Sequence, residues 1–250
     1  MRGLRGKRVI VTGGASGIGR ASALRLIAEG CVVGIFDIDE AGAAATLTQG
    51  GAGPGSGAAY AVDIGDYAQV ESAARAFEAA LGPVELLANI AGWDQAMPFL
   101  KTSVELWDKI IRINLYGPLN MHHVVVRGMQ ERGFGRVVTI ASDAGRVGSS
   151  GEAVYAACKG GIIAFTKTVA RELARRGITL NVVCPGPTDT PLFAGFGDDK
   201  LKEALTRAIP VGRLGKPDDF PGIVAFLLSD DAEYITGQTI SVSGGLTMHG

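Results

Sequence analysis

The sequence predicts a single α/β domain with a doubly wound, mostly parallel seven-stranded sheet and helices on both faces. Short apolar runs alternate along the chain with helix-length amphipathic segments, as in sheets whose parallel strands are joined by right-handed helical crossovers. No linker or shift in composition divides residues 1–250 into two units. The predicted strands are 7–12, 32–37, 58–62, 84–89, 135–142, 178–184 and 238–243.

The composition is that of an ordinary globular protein and argues against several kinds of partner. The 24 basic and 25 acidic side chains nearly balance, and a hydrophobic content of 47% supplies a large core. Without a basic stripe, nothing indicates nucleic acid or an anionic membrane surface. Cys31, Cys158 and Cys184 are an odd number without metal-ligand spacing. They favour a reducing cytoplasm, and we expect no metal site.

A glycine-rich turn follows the first predicted strand and leads into a helical pattern. Strand, glycine turn and helix in this order are the context of a dinucleotide-binding, Rossmann-type fold. The glycines would let the backbone approach a pyrophosphate, to which the helix N-terminus offers N–H groups. The predicted cofactor contacts in this turn are Gly13, Ser16, Gly17, Ile18 and Gly19.

Asp37 ends the second predicted strand, twenty residues after Gly17. A carboxylate at this place accepts hydrogen bonds from the adenosine ribose hydroxyls and repels a 2′-phosphate. With Asp39 and Glu40 nearby, the sequence favours NAD over NADP as the cofactor. The alternative is that Asp37 only caps the following helix.

Other strand ends carry polar or small residues at the edge where parallel sheets bind ligands. We predict cofactor contacts at Asp63, Ile64, Asn89, Ala91, Gly92, Pro185, Gly186, Thr188 and Thr190. Residues 187–212 are rich in threonine, glycine and proline, with a short helical patch around 199–208. Such a segment beyond a sheet edge predicts a lid over the substrate.

Tyr155 and Lys159 lie four residues apart on a predicted helix, which places a phenol beside an ammonium group. An isolated phenol has a pKa of about 10, and a neighbouring cation would lower that pKa. The tyrosine would then serve as a general acid or base. Ser142 ends the fifth predicted strand and would face Tyr155 across the crevice. The alternative is an exposed helical pair without chemistry, because this spacing often arises by chance.

One long helix is predicted over residues 103–130, with Trp107 in the core and Asn114 among apolar neighbours. A buried asparagine needs hydrogen-bond partners, so Asn114 is either a structural bridge or part of a polar relay. His122 and His123 are adjacent and do not share a helix face, which argues against metal ligation.

In this order the motifs resemble those of the short-chain dehydrogenase/reductase family, over nearly the whole chain. The motifs are Thr12-Gly13-x3-Gly17-x-Gly19, Asp63, Asn89-x-Ala91-Gly92, Asn114, Ser142, Tyr155-x3-Lys159 and Asn181-x3-Pro185-Gly186-x3-Thr190. The resemblance implies that Tyr155 and Lys159 are catalytic, that Ser142 holds the substrate carbonyl, and that Asn114 anchors a water-linked proton relay. Ile90 stands where the family usually has a second asparagine, so one polar contact near the cofactor would be missing.

Longer stretches resemble one branch of the family, the hydroxyacyl-CoA dehydrogenases of alicyclic-acid breakdown. They are residues 91–94, 141–144, 146–153, 181–190 and 241–248. This resemblance implies a homotetramer that oxidises a β-hydroxyacyl-CoA thioester of an alicyclic or aromatic pathway with NAD, Tyr155 acting as general base. The alternatives are NADPH-dependent reduction of a 3-oxoacyl carrier protein, and a non-catalytic partner subunit.

We predict that Ser142, Trp93, Arg146 and Leu192 contact the substrate. Trp93 and Leu192 would form part of an apolar wall around the acyl group. Arg146 would meet a CoA phosphate, unless it is merely a solvated arginine. Asp143 either tunes the site or caps its loop.

Overall fold

Strands and helices alternate as predicted in the computed structural model, which describes residues 1–53, 55–194 and 199–248. The strands are β1 (Arg8–Thr12), β2 (Val32–Asp37), β3 (Gly57–Ala61), β4 (Leu86–Asn89), β5 (Gly135–Ile140), β6 (Ile178–Pro185) and β7 (Thr239–Val242). They form one sheet in the order β3-β2-β1-β4-β5-β6-β7. All described pairings are parallel, so the sheet is wholly rather than mostly parallel. The predicted α/β fold is confirmed.

Helices of different lengths connect the strands. Within the described ranges the α-helices are α1 (Gly17–Ala28), α2 (Glu40–Gln49), α3 (Tyr67–Leu81), α4 (Val104–Ile111), α5 (Gly117–Arg132), α6 (Ala144–Val147), α7 (Ala153–Leu173), α8 (Pro191–Ala194), α9 (Asp199–Ala208) and α10 (Pro221–Leu228). Single 3₁₀ turns lie at Phe99–Lys101, Ala174–Arg176, Pro217–Asp219 and Asp230–Ala232. The short helix α6 lies between β5 and α7, directly after the segment that carries Ser142.

Successive residues of β1 face opposite sides of the sheet and enter two hydrophobic cores. Val9 packs in a cluster that includes Leu26 of α1 and Val224 of α10. Ile10 packs in the other cluster, which includes Phe77 of α3. Because both faces are buried by helices, the central strands are mostly apolar rather than alternating.

The order of the strands locates the ligand-binding edge. The chain runs outward from β1 through β2 and β3, then returns to place β4 on the other side of β1. Connections therefore leave β1 and β4 in opposite directions, and a crevice opens beyond their carboxyl ends.

The prediction of one continuous helix over 103–130 is wrong at the centre of that range. A π-helical turn, Arg112–Tyr116, separates α4 from α5. Pro118 has no N–H group to return to the Asn114 carbonyl, and the Asn114 side chain donates to the Ile110 carbonyl at 2.9 Å. The helix widens here, and such π turns occur frequently at functional sites.

The predicted lid, residues 187–212, contains α8 and α9, while residues 195–198 lie outside the described part of the chain. No helix in the described ranges combines the length and the apolar character needed to cross a membrane. Over the same ranges, no three histidine, cysteine or acidic side chains are grouped closely enough to hold a metal ion.

His122 lies in the core beside the sheet as a neutral imidazole. Its Nδ1 donates to the Pro118 carbonyl at 2.6 Å, and the Thr139 hydroxyl donates to its Nε2 at 3.3 Å. Burial lowers the pKa of His122 to about 4. His122 is therefore a structural residue.

Acidification should destabilise the fold through His122. The pKa of this group is about 4 in the folded chain and about 6.5 in an unfolded one, so the unfolded state binds the proton first as pH falls. This contribution is intact above about pH 6.5 and is lost as pH falls towards 4, at a cost of up to about 3 kcal/mol. Urea unfolding across this range measures it.

His122→Gln should show a flatter dependence of the unfolding free energy on pH than the wild type between those two pKa values. The matched control is His123→Gln, which replaces the exposed neighbour and should keep the wild-type slope. Equal slopes in all three proteins would contradict the assignment.

Candidate active site

A cleft of about 1310 Å³ lies beyond the carboxyl ends of the strands. Most of the predicted site residues line it: Gly13, Ser16, Gly17, Ile18, Gly19, Asp37, Asp63, Ile64, Ala91, Gly92, Trp93, Ser142, Tyr155, Lys159, Pro185, Gly186, Thr188, Thr190 and Leu192. Asn89, Asn114 and Arg146 do not line it.

The glycine turn leaves room for a ligand against the backbone. Gly13 has a left-handed φ of +71°, and a Cβ there would lie 2.8 Å from the Cα of Ala91. A Cβ on Gly19 would lie only 2.0 Å from the Gly13 carbonyl oxygen. The Ser16 side chain makes no capping hydrogen bond to α1, so it does not occupy the N–H groups of the first turn. The turn and the helix N-terminus form a site suited to an anion.

Asp37 is the last residue of β2 and presents a carboxylate to the cleft. One of its oxygens accepts from the Ala15 amide at 2.9 Å and the other from the Asp39 amide at 3.0 Å. The cap of α2 is Asp39, which accepts from the Gly42 amide at 3.0 Å. The capping alternative for Asp37 is therefore wrong. Its charge stands beside the glycine turn, where an adenosine ribose would lie.

Asn89 supports the site from behind, which corrects the prediction of a direct cofactor contact. It is 2% exposed, and its side-chain oxygen accepts from the Thr12 hydroxyl at 3.1 Å. The Thr12 oxygen in turn accepts from the Ile90 and Ala91 amides at 2.9 and 3.0 Å. Thr12 thus ties the end of β1 to the turn after β4.

Asn114 fixes the next part of that turn. Its side-chain nitrogen donates to the Trp93 carbonyl at 2.6 Å, and its oxygen accepts from the Trp93 amide at 3.2 Å. A Cβ on Gly92 would lie 3.0 Å from the Asn114 oxygen and 3.4 Å from the Lys159 Nζ. Asn114 is a structural bridge between the π turn and the cleft. Its part in a proton relay stays a prediction.

Ser142, Tyr155 and Lys159 meet at one place in the cleft. The Ser142 hydroxyl oxygen accepts from the Ala144 amide at 3.1 Å, and Ser142 also hydrogen-bonds the Tyr155 side chain. Lys159 is 2% exposed and donates to the Ile140 carbonyl at 3.0 Å. Its Nζ lies 5.4 Å from the centroid of the Tyr155 ring. The arrangement places a phenol, a hydroxyl and an ammonium around a common space.

The protein groups around Tyr155 raise its pKa. Burial is the largest cause, the charges of Glu152 and Asp94 add to it, and the hydrogen bond with Ser142 opposes it. Burial also lowers the pKa of the Lys159 ammonium to about 8. In the protein by itself the pKa of Tyr155 is therefore raised, because burial and the charges of two carboxyl groups dominate. A lowering of this pKa by Lys159 stays a prediction.

Arg146 lies away from the cleft, contrary to the prediction that it meets a substrate phosphate. Its guanidinium donates to the Ser241 hydroxyl oxygen at 2.8 Å. The Ser241 hydroxyl donates to Asp143, which is 5% exposed and gives α6 no side-chain cap. These contacts join α6 to β7. Asp143 is thus a structural anchor next to Ser142 rather than a cap.

The segment after β6 forms another wall of the cleft. The Thr188 hydroxyl donates to the Gly186 carbonyl at 2.8 Å, and the Phe193 amide donates to the Thr190 hydroxyl oxygen at 3.2 Å. Thr190 lies 3.7 Å from where a Cβ on Gly17 would be. The described parts of 187–212 therefore adjoin the glycine turn, and their role as a lid stays a prediction.

Sequence reasoning missed two carboxyl groups beside Tyr155, those of Asp94 and Glu152. Glu152 is three residues before Tyr155, and helical spacing was a usable signal for it. Asp94 follows a turn with no periodicity, so nothing in the sequence placed it there. Two cations at the rim, Lys109 and Arg112, were also missed, and Arg112 pairs with Asp63.

The residues present fit a dinucleotide. The glycine turn leaves backbone space where any Cβ would clash, the first turn of α1 is open to an anion, and Asp37 adjoins both. Ser142, Tyr155 and Lys159 lie in the same cleft. This combination defines an oxidoreductase with a nicotinamide cofactor.

Comparison with known proteins identifies the family. A family model described as enoyl-(acyl carrier protein) reductase, of the short-chain type, matches residues 13–247. The chain belongs to the short-chain dehydrogenase/reductase family and is an oxidoreductase, as its motifs predicted.

Its relatives include ketoacyl reductases. An acetoacetyl-CoA reductase from Shinella zoogloeoides is 43% identical over 94% of this chain and 96% of that protein. A 3-oxoacyl-[acyl-carrier-protein] reductase from Escherichia coli (strain K12) is 40% identical over 97% of this chain and 98% of its own length. A crystal structure of 3-ketoacyl-(acyl-carrier-protein) reductase from Brucella melitensis complexed with NADH matches with a TM-score of 0.91 and 32% identity, covering 98% of this chain and 100% of that one. The predicted alicyclic-acid branch stays a prediction.

Gly19→Ala should weaken nucleotide binding at least about tenfold, because the new Cβ overlaps the Gly13 carbonyl and must move the turn. Fluorescence titration with NADH measures the affinity. The control is Gly222→Ala in the first turn of α10, where a Cβ meets open space. That variant should bind NADH like the wild type and be equally or more stable. Unchanged affinity in Gly19→Ala would contradict the assigned cofactor turn.

Proposed function

We propose that the protein interconverts 3-ketoacyl and 3-hydroxyacyl thioesters, with NADH and NAD as the cofactor pair. The proposal rests on the hydrogen-bonded Ser142 and Tyr155 beside Lys159, in a cleft that continues to the glycine turn and Asp37. Relatives named for reduction of acetoacetyl-CoA and of 3-oxoacyl carrier protein support the thioester class. They favour the reductase alternative over β-hydroxyacyl-CoA oxidation as the main direction.

The chain's own groups would control the proton and the developing charge. When bound, the nicotinamide supplies or accepts the hydride at the substrate carbon. In reduction, the Tyr155 hydroxyl gives its proton to the carbonyl oxygen, while the Ser142 hydroxyl donates a hydrogen bond to the same oxygen. Lys159 would hold the hydroxyls of the nicotinamide ribose. In oxidation, Tyr155 as phenolate takes the proton of the substrate hydroxyl.

The acyl group would lie against an apolar wall. Trp93, Leu192 and Leu205 line this part of the cleft. The Lys109 Nζ lies 3.7 Å from the centroid of the Trp93 ring, which holds that flat side chain against the rim. A flat wall favours a second candidate substrate, an alicyclic thioester such as 2-hydroxycyclohexanecarboxyl-CoA. The homotetramer, the cytoplasmic location and the lid over 187–212 stay predictions.

NADH rather than NADPH is proposed because the ribose end of the cleft is acidic. Asp37 presents a carboxylate there, and Asp39 and Glu40 follow it at the start of α2. A 2′-phosphate would be repelled by these charges and would find no basic side chain between β2 and α2. The structure of the Brucella melitensis relative was determined with NADH.

The wild type should use NADH at least about tenfold more efficiently than NADPH, because the carboxylate repels the 2′-phosphate. Asp37→Ser should remove most of that preference, chiefly by raising the KM for NADH and lowering the KM for NADPH. The ratio of kcat/KM for the two cofactors, with acetoacetyl-CoA as substrate, measures it. Glu40→Gln, which also removes one charge, is the control and should keep the preference. A wild type that prefers NADPH would overturn the cofactor assignment.

Tyr155→Phe should reduce turnover by about 10²–10⁴-fold, because the proton donor is lost, and should leave NADH affinity within about twofold. Turnover is followed by NADH consumption with acetoacetyl-CoA, the corresponding acyl carrier protein thioester and 2-ketocyclohexanecarboxyl-CoA. Tyr234→Phe is the matched control, since Tyr234 is fully exposed and does not line the cleft.

The same assays distinguish the alternatives. Activity with the carrier protein thioester alone would favour the carrier-protein reductase, and activity with the ring thioester alone would favour the alicyclic branch. Wild-type failure with every thioester, or failure to bind NADH, would contradict the proposal and favour the non-catalytic alternative. Retained turnover in Tyr155→Phe would remove Tyr155 from the mechanism.

A further inference from the structure

Asp94 and Glu152 bring two carboxyl groups together beside Tyr155. Both line the cleft, and with Tyr155 they also line a side pocket of about 10 Å³, room for one water molecule at most. Glu152 immediately precedes α7, and Asp94 lies in the loop after β4. The Met97 amide joins the two segments by donating to the Gly151 carbonyl at 2.9 Å. This backbone hydrogen bond fixes the segments that carry the two carboxyl groups relative to each other.

The Asp94 carboxyl is buried without a conventional donor. It is 6% exposed, and neither side-chain oxygen has a hydrogen-bond donor of good geometry among the described protein groups. The groups within hydrogen-bonding range of it are the Gln95 amide, whose geometry is poor, and the carboxyl of Glu152. Two carboxylates cannot hydrogen-bond each other, because neither carries a proton. A hydrogen bond between them therefore requires one proton held by the pair.

Burial is consistent with a shared proton at mildly acidic pH. It raises the pKa of Asp94 to about 6 and also raises the pKa of Glu152. The groups that face the pair are Tyr155, Cys158 and Lys159 on α7, and Ser149, which hydrogen-bonds Glu152. Lys159 is the cation among them, and its ammonium is directed at the Ile140 carbonyl. The pair thus retains negative charge next to the phenol.

We propose that Asp94 and Glu152 form a proton-sharing carboxyl pair whose negative charge keeps the Tyr155 hydroxyl protonated, so that Tyr155 remains a proton donor at neutral and mildly alkaline pH. The two acids are positioning residues that act through Tyr155. This inference rests on the proposed function for its consequence, the alkaline limit of carbonyl reduction. The charges around the phenol can be tested without any substrate.

The negative charge of the carboxyl pair opposes ionisation of Tyr155. Ionisation of Tyr155 would place a second negative charge beside the pair, and this costs free energy. Besides the pair, Ser142 and Cys184 act on Tyr155, and the hydrogen bond from Ser142 favours ionisation. The double variant Asp94→Asn/Glu152→Gln removes both carboxyl groups at nearly constant volume. Each single variant retains one carboxylate.

The first measurement is an NMR titration of tyrosine labelled with ¹³C at the ζ carbon, with Tyr155→Phe used to assign the resonance. The Tyr155 midpoint should fall by at least about one pH unit in the double variant, a tenfold change in the ionisation constant. Each single variant should shift it less. Asp108→Asn is the control. Asp108 is an acid at the rim of the same cleft but is not among the main influences on Tyr155, so this variant should leave the midpoint unchanged.

The second measurement is infrared absorption of the protonated carboxyl group at about pH 5, below the pKa of Asp94. The wild type and Asp108→Asn should show this band, and both single variants should lose it. Circular dichroism checks that each variant folds, and the single variants remain informative where the double variant does not fold. An unmoved Tyr155 midpoint in a folded double variant, or a carboxyl band that survives in the single variants, would overturn the inference.

With acetoacetyl-CoA and NADH, kcat/KM should begin to fall at a lower pH in the double variant than in the wild type. A residue that only supported the fold would lower kcat/KM without moving this pH limit. Absence of turnover with every thioester would contradict the proposed function alone, because the NMR and infrared results concern the charges around Tyr155 directly.

Discussion

The hydroxyl of Thr12 connects the two strands between which the site opens. Its oxygen accepts from two successive amides after β4, and its proton goes to the buried Asn89. The connections after β1 and β4 leave in opposite directions. The turns that follow these strands therefore need a hydrogen-bonded contact between them if they are to form one surface. The glycine turn, the Ala91–Trp93 segment and Asn114 are all positioned relative to this contact. A buried side-chain hydroxyl with all three hydrogen bonds made is well suited to such a contact.

Two sets of charges divide the cleft. Beside the glycine turn, Asp37 and its acidic neighbours stand near the uncapped N-terminus of α1, so a negative and a positive electrostatic field lie a short distance apart. At the reacting end, burial works against ionisation of both Tyr155 and Lys159. A nucleotide and substrate entering this space would change the surroundings of both groups. The chemistry thus depends on what the protein and its ligands provide together.

The fold was predictable because its signals are local. Seven apolar runs with helices between them leave few arrangements, and the glycine turn identifies which edge binds ligand. Most of the site followed, since residues such as Asp63, Ser142 and Thr190 lie next to strand ends. Asn89 was misplaced because a residue at a strand end can face its neighbouring strand as easily as the cleft. The π turn at Asn114 and the position of Arg146 depend on tertiary contacts, with Ile110 in one case and Ser241 in the other. The periodicity of the sequence does not predict such tertiary contacts.

The contact between Ser241 and Asp143 has a consequence for how the enzyme matures. Asp143 adjoins Ser142, and the residue that anchors it comes from the last strand of the sheet. During synthesis, β1 to β6 leave the ribosome before β7 is available, so the loop that carries Ser142 receives its anchor last. A nascent chain would therefore form its nucleotide-binding half well before its proton-transfer half. Proteolytic trimming that removes β7 would remove this anchor. The chemistry would then be disabled while the affinity for the cofactor survives.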